Sequence, residues 1–177
     1  MRILVTGGVR SGKSRHAEEL LADAASVTYV APGRTTGGRD ADWDARIAAH
    51  RARRQAHWRT VETVDVAGAL TTVGGAALID DLGTWVVSLI DDADLWESAT
   101  PHVHEVLGVQ VDALCAALVD VPDAVLVTNE VGLGVLPAHR SGVLFADLLG
   151  TVNQRVAEVC DEVHLVIAGR VLRLEDS

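Results

Sequence analysis

The chain has 177 residues, 49% of them apolar and only 3% aromatic, and its 25 acidic against 15 basic side chains give a formal charge of −10. That length suits one α/β domain with a core of Val, Leu, Ile and Ala, and the acidic balance argues against a nucleic-acid partner, which would need a basic stripe to neutralise phosphates. No charged-then-apolar targeting segment opens the chain and no apolar run reads as long enough to cross a bilayer, so a cytoplasmic protein with no membrane partner is expected.

The first element is a strand around Ile3-Leu4-Val5. It runs into Gly7-Gly8-Val9-Arg10-Ser11-Gly12-Lys13-Ser14, a glycine, four residues and then Gly-Lys-Ser between a strand and a helix, which is the context that makes a phosphate-loop match specific. Glycines let the backbone curl with its amides inward, so that successive N–H groups and the next helix N-terminus surround a phosphate. Lys13 then reaches the β- and γ-phosphates, and Ser14 is a ligand for Mg²⁺.

A helix is expected from about Ser14 to Ala24, with Ala17, Leu20, Leu21 and Ala24 on its apolar face. Val27 to Ala31 reads as a second strand, and Pro32 to Asp40, with Gly33, Gly37 and Gly38, as an exposed loop. A helix beginning near Asp42 carries Ile47, His50 and Arg54 on one face. Trp58 to Val64 is a brief strand, Asp65 to Thr72 a short helix, and Ala76 to Ile79 a buried parallel strand ending in Asp80-Asp81. Helices follow over Thr84 to Ile90 and His102 to Val119, a core strand over Ala124 to Thr128, and a helix over Phe145 to Cys160. Val163 to Ile167 pairs with Val171 to Leu174 around Ala168-Gly169-Arg170. These elements predict a single phosphate-loop NTPase-like (RecA-like) α/β domain spanning residues 1–177, mostly parallel, with helices on both faces and a C-terminal antiparallel hairpin.

In such a fold the nucleotide binds beyond the carboxyl ends of the strands, where an acid on a second strand holds Mg²⁺ directly or through water. Asp80 is that acid; Asp81 is the weaker choice, because adjacent side chains point in different directions. An imidazole such as that of His50 can attack an α-phosphate and hold the nucleotide as a phosphoramidate, although spacing alone does not separate this from an ordinary exposed helical histidine. The segment Thr128-Asn129-Glu130-Val131-Gly132-Leu133-Gly134 falls at the same edge of the sheet and is a further pocket candidate. The four tryptophans and the two cysteines, Cys115 and Cys160, read as packing residues, the thiols buried and reduced. On residues alone, a kinase for some other small hydroxyl compound and a non-catalytic GTP-binding regulator stay open.

The order of the segments narrows this. Ile3 through Arg15, Ala45-Arg46-Ile47-Ala48-Ala49-His50-Arg51, Trp58 through Glu62, Val127 through Pro137, Asp147-Leu148-Leu149-Gly150 and Val152-Asn153-Gln154-Arg155 together resemble the bifunctional adenosylcobinamide kinase and adenosylcobinamide-phosphate guanylyltransferase family of cobalamin biosynthesis. The resemblance implies phosphorylation of the aminopropanol hydroxyl of adenosylcobinamide with ATP or GTP, then GMP transfer from GTP to adenosylcobinamide phosphate. It implies that His50 carries the GMP and that Ala31, Pro32, Gly33, Arg51, Ala52, Arg53, Arg54, Glu62 and Asp80 are nucleotide- or metal-associated. It also implies a homotrimer. The chain departs from the family pattern at Gln55, where proline is common, at Asp81, where cysteine is common, at Ser88 in place of asparagine and at Val143 in place of arginine.

Overall fold

The computed structural model describes residues 1–33, 55–135 and 137–174. Within them a seven-stranded sheet runs in the order β3-β2-β4-β5-β1-β6-β7, from strands β1 (Arg2–Gly7), β2 (Val27–Ala31), β3 (Arg59–Glu62), β4 (Ala76–Asp80), β5 (Ala124–Val127), β6 (Glu162–Ile167) and β7 (Arg170–Leu174). Every pairing is parallel except β6 with β7. The central strands β1, β4 and β5 are near-continuous apolar runs because both of their faces are covered. The edge strands β3 and β7 are exposed along most of their length.

Five helices accompany the described strands: α1 (Lys13–Leu20), α2 (Val66–Leu70), α3 (Leu82–Asp92), α4 (Thr100–Val119) and α5 (Arg140–Ala157). The period of two along each strand divides the core. Ile3, Val5, Tyr29, Leu78, Val125 and Val127 face α1 through Ala17 and Leu21. Leu4, Val30, Ala77, Ile79 and Leu126 face the layer built by α2, α3, α4 and α5.

The expected elements are all present within the described residues, with shifted ends. Helix α1 stops at Leu20 rather than Ala24, and α3 extends to Leu82 and Asp92. Helix α5 starts five residues before the expected Phe145, where Arg140 at its first turn donates both guanidinium branches to the carbonyls of Trp96 and Ser98, and it stops at Ala157. The last hairpin closes on Ala168 and Gly169 alone, both at positive φ (50° and 74°), while Arg170 already pairs with Ile167 in the ladder. Two such residues match the right-handed twist of the strands they join.

Two expectations are corrected. Helix α4, 20 residues long with an 18-residue window of mean hydropathy 1.3, is by length and composition able to cross a membrane. Its apolar stripe, Val103, Leu107, Val111, Leu114 and Leu118, is instead buried against the neighbouring helices and the sheet. Cys115 and Cys160 are free thiols, yet only half-buried rather than sequestered. The expected helix from Asp42 lies outside the described residues, as do Gly37, Gly38 and Trp43. Trp85 and Trp58 are core residues, and Trp96 packs at the core margin.

Candidate nucleotide site

The apolar run of β1 ends at Gly7, and the chain must turn there to start α1 on the sheet face. Gly12 makes this possible with φ of 101°, as the residue capping the helix. No side chain caps that helix end, so the first amides of α1 are left for an incoming anion. The turn is closed by the Ser11 amide donating to the Gly8 carbonyl (3.2 Å) and carries Arg10 at φ 57°. Lys13 folds back so that Nζ donates to the same Gly8 carbonyl at 3.3 Å. Gly8, Val9 and Arg10 are exposed at the rim, whereas Ser11 is buried with no partner for its hydroxyl. A buried hydroxyl without a partner in a glycine-rich turn ahead of an uncapped helix end is consistent with a loop that takes an anion.

Behind this loop stands the β6–β7 hairpin. The Gly169 amide donates to the Ser11 carbonyl (2.8 Å), and a Cβ on Gly12 would lie 3.4 Å from the Gly169 Cα. A Cβ on Gly7 would meet the Val166 carbonyl oxygen at 2.4 Å. One turn along α1, a His16 ring nitrogen lies 2.9 Å from Nδ1 of buried His164, whose Nε2 lies 2.9 Å from Glu162. Burial, and then the neighbouring His164, push the His16 imidazole below its ordinary pKa. The sequence did not announce this buttress, since its members are 148 residues apart.

Asp80 ends β4, which is separated from β1 by β5 alone. Its Oδ1 accepts from the Ser14 hydroxyl at 3.4 Å, and its Oδ2 accepts from the Tyr29 hydroxyl. A hydroxyl and a carboxylate are hard oxygen donors of the kind that hold Mg²⁺ beside substrate phosphates, so this pair fits that ion.

Asp81, one residue on, has turned away into a different task. At φ 91° it caps α3, accepting from the amides of Gly83 (2.9 Å) and Thr84 (3.3 Å) and from the Thr84 hydroxyl (3.0 Å). Asn129 donates to the same Oδ1 at 2.9 Å. Burial first, and then the charge of Asp80, push the Asp81 carboxyl above the usual carboxylate range. Burial likewise lowers the Lys13 ammonium, while Asp81 and Asp80 work in the opposite direction.

The loop after β5 is pinned rather than open at its start. Thr128 is fully buried and donates to Asn153 Oδ1 (2.6 Å), and Asn153 Nδ2 donates back to the Asn129 carbonyl (3.1 Å). The Glu130 amide reaches the Gly7 carbonyl at 3.1 Å, so this loop also supports the phosphate loop. Leu133 and Val135, further out, are almost fully exposed.

Ala31 and Glu62 are paired neighbours at the carboxyl ends of β2 and β3, with Pro32 buried and Gly33 half-buried beyond them. They share the edge that carries the phosphate loop, three and four strands away, or roughly 14 to 19 Å at ~4.8 Å per strand. His50, Arg51, Ala52, Arg53 and Arg54 lie outside the described residues. Tyr29, Asn153 and Gly169 are the site-supporting residues that sequence reasoning did not single out. The only signals for them were a polar tip inside the apolar β2 run and the place of Asn153 in a family-like segment.

A parallel sheet with a Gly-Lys-Ser loop after its β1 strand, and an acid on the strand one removed facing the loop's serine, defines a phosphate-loop nucleotide-binding protein. Solved structures agree on the fold: the assembled ATPase EscN of the enteropathogenic E. coli type III secretion system matches with a TM-score of 0.55 at 11% identity over 94% of this chain. A prototypical ATPase from the type III secretion system of pathogenic bacteria matches with a TM-score of 0.51 at 10% identity over 93% of this chain. This chain spans 43% and 50% of those two chains.

The cobinamide kinase / cobinamide phosphate guanyltransferase family model matches residues 3–174, and the chain belongs to that family. It is 41% identical over 180 residues to the bifunctional adenosylcobalamin biosynthesis protein CobU of Salmonella typhimurium, covering 96% of this chain and 97% of that protein. The Escherichia coli CobU is 38% identical with the same coverage, and the Pseudomonas aeruginosa CobP is 37% identical over 99% of this chain and 98% of its own length. The chain is thereby one of the bifunctional enzymes of cobalamin biosynthesis, kinase and nucleotidyltransferase in one polypeptide.

Proposed function

We propose that the chain phosphorylates adenosylcobinamide and then converts adenosylcobinamide phosphate to adenosylcobinamide-GDP through a covalent GMP on His50. The observation that carries this reading is the open α1 N-terminus with Lys13, Ser14 and Asp80 converging on it, in a chain that matches its family from end to end. In the first reaction the substrate hydroxyl oxygen attacks the γ-phosphorus of ATP or GTP, its proton is lost, and the nucleoside diphosphate leaves with the bridging oxygen. Lys13 and the amides of Gly7 through Ser14 hold the phosphates and take up the charge that grows on the leaving oxygen. Ser14 and Asp80 would hold Mg²⁺, which would further neutralise the triphosphate.

In the second reaction a ring nitrogen of His50 attacks the α-phosphorus of GTP and pyrophosphate leaves. A phosphate oxygen of adenosylcobinamide phosphate then attacks the same phosphorus, the N–P bond breaks, and the imidazole is free again. Arg51, Ala52, Arg53, Arg54, Glu62 and the Ala31-Pro32-Gly33 turn serve the guanine nucleotide. The carboxyl-edge position shared by Ala31 and Glu62 supports this assignment.

The reading includes a cytoplasmic homotrimer without nucleic-acid or membrane partners. Ile167, Leu172 and Leu174 on the exposed edge hairpin offer it an apolar surface. The test is GTP labelled at the α-phosphate: label retained on protein and lost from His50→Ala supports the covalent route, and GMP transfer without a protein-bound intermediate refutes it.

A further inference from the structure

We infer that Tyr29 is a positioning residue for the metal-binding carboxylate, an inference that rests on the reading of Asp80 given above. Tyr29 lies in β2 beside β4, 1% exposed, with its backbone in register with Leu78 and its ring in the core under α1. Its hydroxyl passes the strand boundary and donates to Asp80 Oδ2, leaving Oδ1 directed at the Ser14 hydroxyl. The two contacts hold the two oxygens of one carboxylate from two different elements, β2 and the start of α1. Loss of the Tyr29 donor removes one of the restraints on the terminal torsion of Asp80, whose wells are broad.

The chemistry of the donor matters as much as its reach. Packing alone would be met by Phe, which fills the same space without the polar tip. A lysine or arginine in contact with Asp80 would fix it too, but would cancel the negative charge that attracts a divalent cation. A phenol supplies a hydrogen bond and no charge. It orders Asp80 without itself bringing a positive charge to the carboxylate.

The test uses the full chain, Mn²⁺ as a paramagnetic probe and GTP, with free Mn²⁺ followed by electron paramagnetic resonance. Tyr29→Phe is expected to weaken Mn²⁺ about tenfold, in line with loss of one hydrogen bond to a charged group, while GTP binding without metal and the melting temperature stay near those of the parent. Raising the metal concentration restores turnover in Tyr29→Phe, and does not restore it in Asp80→Asn. The double variant guards against a merely softened core: the effect of Tyr29→Phe should vanish in the Asp80→Asn background, whereas independent effects would add. Unchanged Mn²⁺ affinity in Tyr29→Phe beside a clear loss in Asp80→Asn would overturn the inference and leave the metal site standing. Unchanged affinity in both would overturn the metal site and the inference together.

Discussion

The Ser14 hydroxyl donates to Asp80 Oδ1 across 3.4 Å, joining the start of α1 to the end of β4 over the intervening strand β5. That contact is what turns a glycine-rich turn into a site. Asp80→Asn keeps the shape and removes the charge, so both the kinase and the guanylyl-transfer turnover should fall by about 10² or more, the scale of losing one electrostatic stabiliser. Circular dichroism and the melting temperature should stay close to the parent's. Full activity in Asp80→Asn would remove Asp80 from the mechanism.

Lys13 sits between its burial and two carboxylates, and in the nucleotide-free fold it leans on the Gly8 carbonyl. Lys13→Ala should lower kcat/KM for phosphoryl transfer by roughly 10²–10³ without lowering the melting temperature, because a partly buried charge is removed with it. Steady-state assays of the two steps, run separately, check this. Loss confined to the kinase step would mean that GTP for guanylylation does not use the loop.

Gly7 has no room for a methyl group. Its Cβ would stand 2.4 Å from the Val166 carbonyl and 2.7 Å from the Ser11 hydroxyl. Gly7→Ala should cost about 1–3 kcal/mol through forced displacement of the β6 backbone, seen as a melting point lower by several degrees. Gly8→Ala, where nothing lies within 4 Å, is the matched control and should melt with the parent.

Asp81 gives a pH test with a defined sign. Burial and the charge of Asp80 raise its folded pKa above the ordinary 3.8. Its favourable contribution is therefore complete below that ordinary value and is lost as pH rises through the raised one. Asp81→Asn keeps an oxygen for Gly83, Thr84 and Asn129 and cannot ionise, so its stability relative to the parent should improve from pH 3.5 toward neutrality, as urea melts at several pH values would report. Asp81→Ala loses the cap and should cost about 1–2 kcal/mol at the acid end, a cost that shrinks toward neutrality because alanine cannot ionise either. A difference between Asp81→Asn and the parent that does not vary with pH would contradict this account.

Much of the architecture was legible because it rests on local rules. Apolar runs such as Ala76 to Ile79 and Ala124 to Val127 are too uniform for surface strands, and Gly-Lys-Ser after a strand dictates a loop and a helix. The split between Asp80 and Asp81 was legible too, from the alternation of neighbouring side chains. Helix ends were less so: at the start of α5, Arg140 bonds carbonyls more than 40 positions away, which no local pattern encodes. The supports of the site, Tyr29 on Asp80, Gly169 on Ser11 and Asn153 on Thr128, all join residues distant in the chain. Pairwise geometry of that kind exists only once the sheet has set its strand order.

Passage of GMP through His50 is open to a single labelling experiment. Protein incubated with Mg²⁺ and GTP carrying label at the α-phosphate should yield an acid-labile, GMP-bearing peptide that contains His50. The label should move onto adenosylcobinamide phosphate when that substrate is added, and His50→Ala should acquire none. An unlabelled protein that binds GTP and still makes adenosylcobinamide-GDP would contradict the covalent route and require direct transfer between the two bound substrates.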